Sequence, residues 1–454
     1  MTTQPQHSAL RVLVVAEHAS SRYGGEAALP MHYYAYLRRR GVDAWLLTHD
    51  RVRQEFEGSP HADHVIYVEE RRSHRVLWWI GRRLPDRIDN LTTGYISRLL
   101  TQFSQRRQIR ELVKTLSLDV IHQPMPVSPK EPSLLYDLGA PVVMGPLNGG
   151  MDFPPAFKSA DSVFTRVFLR GLRWLSHGLN VLAPGKLKAE LILVANERTR
   201  VALPSGHSPR VEYMVENGVD LQLWQPREPG LAPPLPGPTR YVFMGRLVDV
   251  KRVDLLLEAF AQACRQQPMS LLVIGDGPLL PELKQQALAL GILAPHGESA
   301  SGVHFAGWMT QRDAAQQLKN QDCLVLPSIR ECGGAVVLEA MAASLPVIAV
   351  DWGGPADYLD ASCGILVPPL SARHVMLAMS EALVKLARDP DLRRRLGAQG
   401  RVKVEQEFDW EKKIDAILSA YARAAGHSDQ RGHDTAPDTS PLGMADDTQT
   451  SPAR

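Results

Sequence analysis

Short apolar runs that stop at Gly, Pro or Asn alternate with longer stretches of helical periodicity along most of this chain, and the whole alternation occurs twice. A run bounded in this way reads as a strand buried on both faces, and a helix between two such strands is a crossover that leaves them parallel. The runs fall at 11–16, 44–48, 65–68, 119–122, 141–145 and 191–195 in the first half, and at 241–244, 271–275, 303–306, 323–326 and 346–349 in the second. Two helix-covered sheets are therefore predicted. A chain of 454 residues that is 44% hydrophobic can fill two cores of ordinary size.

A proline- and glycine-rich stretch at 225–238 cannot continue a helix or a central strand, so the halves divide there. The expected organisation is a first domain over 1–220, a linker over 221–238, a second domain over 239–405 and a helix over 406–425 that returns toward the first domain. The segment 426–454 has almost no large apolar side chains and is expected to be disordered. With 51 basic and 49 acidic residues the formal charge is only +2, which gives no general attraction to nucleic acid. The apolar stretch at 12–16 is too short for a signal peptide or a membrane span, so a cytoplasmic location is expected. Cys264, Cys323, Cys332 and Cys363 have no CxxC spacing and read as reduced thiols.

Residues 324–341 read LVLPSIRECGGAVVLEAM, a strand that stops at Pro327 and a helix that starts near Gly334. Glu331 and Glu339 have seven residues between them. One lies in the strand-to-helix turn and the other about one turn into the helix. An ionised carboxylate accepts two hydroxyl protons at once, each bond contributing roughly 1.5–3 kcal/mol, which suits a sugar or a ribose. As an isolated pair, though, two such glutamates are more simply solvated charges. Gly333 and Gly334, next to Cys332, would let helix N-terminal amides approach a diphosphate. Upstream, Arg246 and Lys251 follow the strand at 241–244, where two fixed cations would stabilise the charge that grows on a departing phosphate. Gly275, Asp276 and Gly277 end another strand at the edge where open parallel sheets bind ligands, and both a nucleobase contact and a plain connector fit them.

The first half offers fewer signals. Gly24 and Gly25 follow the first strand and open a helix, the layout of a phosphate-approaching turn. His122 ends a strand, either as a ligand or as a packed strand-end histidine. Asn148 and Gly149 follow the strand at 141–145 and are candidates for an acceptor pocket.

Together, Arg246 and Lys251 as GR-x4-K and Glu331 and Glu339 as E-x7-E resemble the retaining glycosyltransferases of the GT4 family, the glycosyl transferases group 1. The resemblance covers roughly 10–425 and is most specific over 244–355. It implies the GT-B fold, two Rossmann-like doubly wound α/β domains facing across a cleft. It also implies a nucleotide-sugar donor, with Glu331 at the donor sugar, Glu339 at the ribose, and Gly24 and Gly25 in a loop that closes over the diphosphate. Segment 217–220, NGVD, resembles the family's hinge. Many relatives read H-x-H where this chain has His122-Gln123-Pro124, so the sugar-contacting position falls on His122 or on Pro124.

Retention at the anomeric carbon follows from the resemblance, and no first-domain carboxylate stands out as a nucleophile, which favours front-face displacement. Asp389-Pro390-Asp391 reads as a helix-capping turn and not as a metal site, so no metal or other cofactor is expected. A nucleotide-sugar epimerase of the same fold and a non-catalytic nucleotide-sugar-binding protein are the other readings. The implied acceptor is a glycan, a lipid-linked saccharide or a small molecule, in polysaccharide or glycoconjugate synthesis. Residues 71–87 mix Arg71, Arg72, Arg75, Arg82, Arg83 and Arg87 with Leu77, Trp78, Trp79 and Ile80. Such a stretch fits either an anionic membrane surface or a helical insertion whose tryptophans face the core.

Overall fold

The computed structural model describes residues 10–20, 25–60, 62–70, 72–83, 93–158, 178–228, 237–294 and 301–426. Gly24, residues 84–87 and the segment 427–454 lie outside the described residues, as does the side chain of Trp78.

The first domain holds a seven-stranded sheet of β1 (Arg11–Val15), β2 (Asp43–His49), β3 (Val65–Val68), β4 (Val120–Gln123), β5 (Val142–Leu147), β6 (Leu191–Val194) and β7 (Val211–Tyr213). Its order is β3-β2-β1-β4-β5-β6-β7, with every pairing parallel. The second domain repeats the plan with β8 (Thr239–Met244), β9 (Met269–Ile274), β10 (Gly302–Gly307), β11 (Cys323–Leu326), β12 (Val347–Val350) and β13 (Gly364–Val367), in the order β10-β9-β8-β11-β12-β13. Both sheets are doubly wound α/β arrangements. In each, the strand order reverses beside the first strand, between β1 and β4 and between β8 and β11, and the loops leaving these carboxyl ends open a crevice.

The helices that position the site are α1 (Gly25–Arg39), α2 (Arg72–Gly81), α3 (Thr93–Thr115), α4 (Val253–Cys264), α5 (Leu280–Ala289), α6 (Gln311–Leu318), α7 (Ala335–Ala342), α8 (Ala372–Arg388), α9 (Pro390–Glu407) and α10 (Trp410–Ala424). Strands β4, β5, β11 and β12 are buried at every position, as central parallel strands covered on both faces must be. One core fills the second domain, and two cores lie on opposite faces of the first sheet.

α10 belongs to the first domain by packing. Its Trp410, Ile414, Ile417, Leu418 and Tyr421 share a core with Tyr33, Leu37, Val14 and Val143. The return is pinned at the hinge, where Val219 N donates to Phe408 O at 2.9 Å and Trp410 N donates to Val219 O at 3.2 Å. A Cβ on Gly218 would lie 2.9 Å from the Trp410 ring, so the turn that the NGVD segment makes needs glycine at that point. No helix among the described residues is long and apolar enough to cross a membrane.

Candidate active site

The two switch-point loops of the second domain bring the principal sequence candidates together. Lys251 follows β8 and Glu331 follows β11, 80 residues later, and Lys251 Nζ donates to Glu331 Oε2 in an ion pair only 17% and 15% exposed. Arg246 lies on the β8 loop, exposed and without an ion pair among the described residues, available to an incoming anion.

Glu339 sits on α7, about one turn into the helix that follows the Glu331 loop. Burial alone pushes its carboxyl up to about 8, and no charged neighbour offsets that shift. Its surface is nevertheless part exposed, so the group is deep yet open on one side. Such a carboxyl has lost most of its hydration and gains by accepting hydroxyl donors.

The glycines in these loops serve close backbone approach. A Cβ on Gly275, where φ is +139°, would lie 1.9 Å from the Gly245 carbonyl oxygen, and one on Gly277 would lie 2.3 Å from that of Leu247. The β8 and β9 loops therefore stack backbone on backbone, joined by Leu247 N donating to Asp276 O at 2.9 Å. Asp276 itself is exposed, and its Oδ1 accepts from the amide of Gly277 at 2.7 Å. Gly334 caps α7 with φ +76°. A Cβ on Gly333 would lie 2.2 Å from Asn217 Nδ2 and 2.7 Å from Glu216 Oε2. The Glu331 loop thus rests directly on the hinge.

Asn148 completes that junction. Its Nδ2 donates to Glu216 Oε2 at 2.6 Å and to the Cys332 carbonyl at 2.9 Å, while Asn196 Nδ2 donates to its Oδ1 at 3.3 Å. Asn148 and Gly149, the candidates for an acceptor pocket, both line the cavity described below, and the Asn148 amide also holds the first domain, the hinge and the Glu331 loop together. Burial first and the Glu26 charge second raise the Glu216 carboxyl to about 7. Gly149 packs on Pro129, 2.6 Å from where its Cβ would stand.

His122 requires correction as a sugar-contacting candidate. It is 0% exposed, with Nε2 2.6 Å from the Gly145 carbonyl oxygen and Nδ1 2.7 Å from the Tyr421 hydroxyl. Both nitrogens are engaged inside the core, and His122 is not part of the cavity lining. Gly25 opens α1 exposed, with nothing near the position of a Cβ.

Facing the Glu331 loop of the second domain, the first domain holds a cavity of about 1210 Å³. Its lining includes Glu17, Glu26, Arg98 and Glu131 from the first domain and Arg330 and Cys332 from the second. Cys332, expected on the donor side, therefore faces this cavity, and burial raises its thiol to about 11. Lys186 braces the cavity wall from behind. Its buried ammonium donates to the carbonyl oxygens of Ser128 and Pro129 at 2.9 Å each and to that of Glu131, and desolvation lowers it to about 7.

Glu26 was not among the sequence candidates. Directly after a Gly-Gly turn it reads as an ordinary acid complementing a helix N-terminus, and nothing local marks it as facing a cavity.

Residues 233–403 match the family described as glycosyl transferases group 1. The chain is 31% identical over 254 residues to a D-inositol 3-phosphate glycosyltransferase of Streptomyces bingchenggensis, covering 51% of this chain and 52% of the relative. It is 30% identical over 227 residues to an alpha-maltose-1-phosphate synthase of Mycolicibacterium smegmatis, covering 47% and 57%. The chain thus spans about half the length of the curated relatives it matches. The fold matches that of Anabaena HepE in complex with UDP, with a TM-score of 0.61 and 17% identity over 91% of this chain and 100% of that one. Sucrose-phosphate synthase from Thermosynechococcus elongatus matches with a TM-score of 0.61 and 17% identity over 92% and 100%. The architecture is GT-B.

Proposed function

We propose, from the match of residues 233–403 to the glycosyl transferases group 1 family, a transferase that moves a glycosyl group from a nucleotide-sugar held by the second domain to an acceptor hydroxyl in the first-domain cavity. The observation that carries the reading is the Lys251–Glu331 pair, set at the switch point of the second sheet with Glu339 about one turn into the helix that follows. Glu339 would accept the ribose hydroxyls and Glu331 those of the donor sugar. Lys251 and Arg246 would face the diphosphate, on which charge grows as the bond to the anomeric carbon breaks. These two cations supply the neutralisation that a divalent ion supplies elsewhere, so we propose a reaction without metal or other cofactor.

The stereochemical course we propose is retention by front-face displacement. The acceptor oxygen bonds to the anomeric carbon on the face that the phosphate leaves, and the acceptor proton passes to the departing phosphate oxygen. The large cavity opposite the donor-side loops favours transfer over epimerisation, since an epimerase has no acceptor to house.

A thermal-shift panel tests the reading, with UDP, GDP, ADP and their sugar conjugates, in EDTA and in magnesium, on wild type and Glu339→Ala. A selective rise that persists in EDTA and vanishes in Glu339→Ala is expected. No shift with any nucleotide at millimolar concentration would overturn it.

The acceptor side extends this proposal to a membrane surface at the cytoplasmic face, with a lipid-linked saccharide in polysaccharide or glycoconjugate synthesis as the acceptor. The outer face of α2 exposes Val76 (56%) and Trp79 (57%) with Ile80, set between Arg72 and Arg83. On the adjoining α3, Ile96 and Phe103 are also exposed. Apolar side chains bordered by arginines match an anionic bilayer surface. Co-sedimentation with phosphatidylglycerol vesicles, and its loss in Trp79→Ser/Arg83→Glu, is the expected result. Equal binding to phosphatidylcholine vesicles, or to none, would contradict the membrane seat.

A further inference from the structure

We propose that Arg198, Asp357 and Trp352 are positioning residues: they seat residues 148–157 of the first domain on the loop that carries Glu331, and thereby hold Glu331 against the donor sugar. The proposal rests on the transferase reading above and adds to it three residues that lie outside the cavity lining.

Glu331 stands in a loop with few means of fixing its own position. Gly333 and Gly334 follow it, and a second glycine pair, Gly353 and Gly354, lies across them. A Cβ on Gly353 would lie 2.3 Å from the Glu331 carbonyl oxygen, and one on Gly354 would lie 2.0 Å from that of Gly333. The two turns are stacked backbone on backbone, with Gly354 N donating to Glu331 O at 2.7 Å. Four glycines leave the stack without side chains to pack, so its place is set from outside. The hinge supplies one side, with Asn217 and Glu216 against Gly333. The first domain supplies the other.

The chain leaving β5 runs onto the second domain as a strap. Asn148 Nδ2 donates to Cys332 O at 2.9 Å, and Trp352 Nε1 donates to Asp152 O at 2.9 Å. Met151 Sδ lies 2.5 Å from where a Cβ on Gly353 would stand. Farther along, the Arg330 guanidinium lies 5.2 Å from the ring centre of Phe153, and that of Arg252 lies 5.5 Å from Phe157. Residues 148–152 of the same strap line the acceptor cavity. One stretch of chain is therefore cavity wall and bed of the Glu331 loop at once.

An ion pair between the domains secures this seat. Arg198 belongs to the short helix Glu197–Val201 of the first domain, and Asp357 to the short helix Gly354–Tyr358 that begins at the glycine stack. Arg198 Nη1 donates to Asp357 Oδ1 at 2.9 Å and Nη2 donates to Oδ2, a two-pronged contact that fixes orientation as well as distance. Asn196 Nδ2 spans the join, donating to Asp357 Oδ2 at 3.1 Å and to Asn148 Oδ1 at 3.3 Å. Release of Asp357 from Arg198 frees the turn 352–354, and with it the carbonyl of Glu331. A shift of about 1 Å at a group that contacts substrate can cost on the order of a hundredfold in rate.

Isothermal titration separates positioning from folding, because Glu331 is assigned to the donor sugar and Glu339 to the ribose. Wild type, Arg198→Met, Trp352→Phe, Asp357→Ala and Asp357→Glu are titrated with UDP, GDP and ADP, and with UDP-glucose, GDP-mannose and ADP-glucose. The first three variants should each bind the nucleotide-sugar at least threefold more weakly and the matching nucleotide as wild type does. Asp357→Glu, which keeps the carboxylate, should recover part of the loss. Equal losses for nucleotide and nucleotide-sugar, or no loss for either, would overturn the proposal.

Hydrogen exchange on the ligand-free chain reads the seat directly. In Arg198→Met, peptides over 331–340 should exchange at least threefold faster while those over 253–264 stay unchanged. A change confined to the two short helices would count equally against the proposal. A wild type that binds no nucleotide would contradict the donor reading instead, and the exchange result would still decide whether the strap holds the Glu331 loop.

Discussion

Tyr421 donates its phenolic proton to Nδ1 of His122 at 2.7 Å, joining residues 299 positions apart in the chain. The direction of that bond follows from the far side of the ring. His122 Nε2 faces the Gly145 carbonyl, which can only accept, so Nε2 carries the hydrogen and Nδ1 the lone pair. The ring is neutral, its basicity held down to about 4 by burial. A histidine fixed in this way ties the last helix to the middle of the first sheet.

Tyr421→Phe should lower unfolding free energy by about 1–3 kcal/mol, because it leaves a buried acceptor without its donor. Urea denaturation measures the loss. Nucleotide-induced stabilisation should be unchanged, since neither residue reaches the cleft.

His122 also gives a signed pH dependence. Unfolded, it takes up a proton near its ordinary value of about 6.5, whereas folded it resists protonation until about 4. Its contribution is complete above pH 6.5 and is lost as the pH falls toward 4. Glu216 and Glu339 act in the opposite sense above about 4.5, being raised to about 7 and about 8, so total stability mixes the two. A difference measurement isolates the histidine. His122→Gln keeps a donor for Gly145 and an acceptor for Tyr421, and relative to wild type it should gain stability as the pH drops from 6.5 to 4. A parallel pair of stability curves would contradict the assignment.

Glu331→Ala and Lys251→Ala should each lower turnover at least about tenfold, equivalent to ~1.4 kcal/mol of barrier. Because the two side chains are partners, the double substitution should cost less than the product of the single effects. Steady-state rates on the donor that the thermal-shift panel selects provide the measurement. Normal rates in both single variants would remove these residues from the site.

Glu339, raised to about 8 in the ligand-free protein, is largely protonated at neutral pH. Ribose hydroxyls bind the carboxylate better than the acid, so nucleotide affinity should rise between pH 6 and pH 8 by at most about tenfold per unit. Isothermal titration across that range should show the slope in wild type and a flat profile in Glu339→Gln.

Gly275→Ala should destabilise the second domain and weaken nucleotide binding together. The new Cβ would meet the Gly245 carbonyl oxygen at 1.9 Å, and φ at +139° already disfavours a side chain. Gly25→Ala provides the comparison, since nothing stands near its Cβ and its melting temperature should not change.

The repeated apolar runs made eleven of the strands legible, because central parallel strands are apolar throughout and end at sharp turns. β7 escaped because Val211–Tyr213 is a three-residue, incompletely buried edge strand. β13 escaped because it starts on Gly364 and lies, like β7, at a sheet edge. The motifs named Lys251 and Glu331 as residues of one site, but their direct ion pair was not legible, since 80 residues separate them in the chain. The orientation of His122 was not, since all four β4 positions are buried and strand alternation carries no signal there. Glu216, and the junction that Asn148 makes with it, were hidden for another reason. Their roles arise only where the two domains and the hinge meet, from residues far apart in sequence.

Because α10 completes the core of the first domain, the chain cannot be divided into its two lobes by a single cut. Synthesis runs from the amino end, so the first lobe emerges while the side chains that close it, Trp410 through Tyr421, are still to be made. The second lobe has its whole core within residues 219–408 and can finish first. The core of the first lobe can therefore be completed only after the whole second lobe has been made, so the lobe that begins the chain is the last whose core can be sealed.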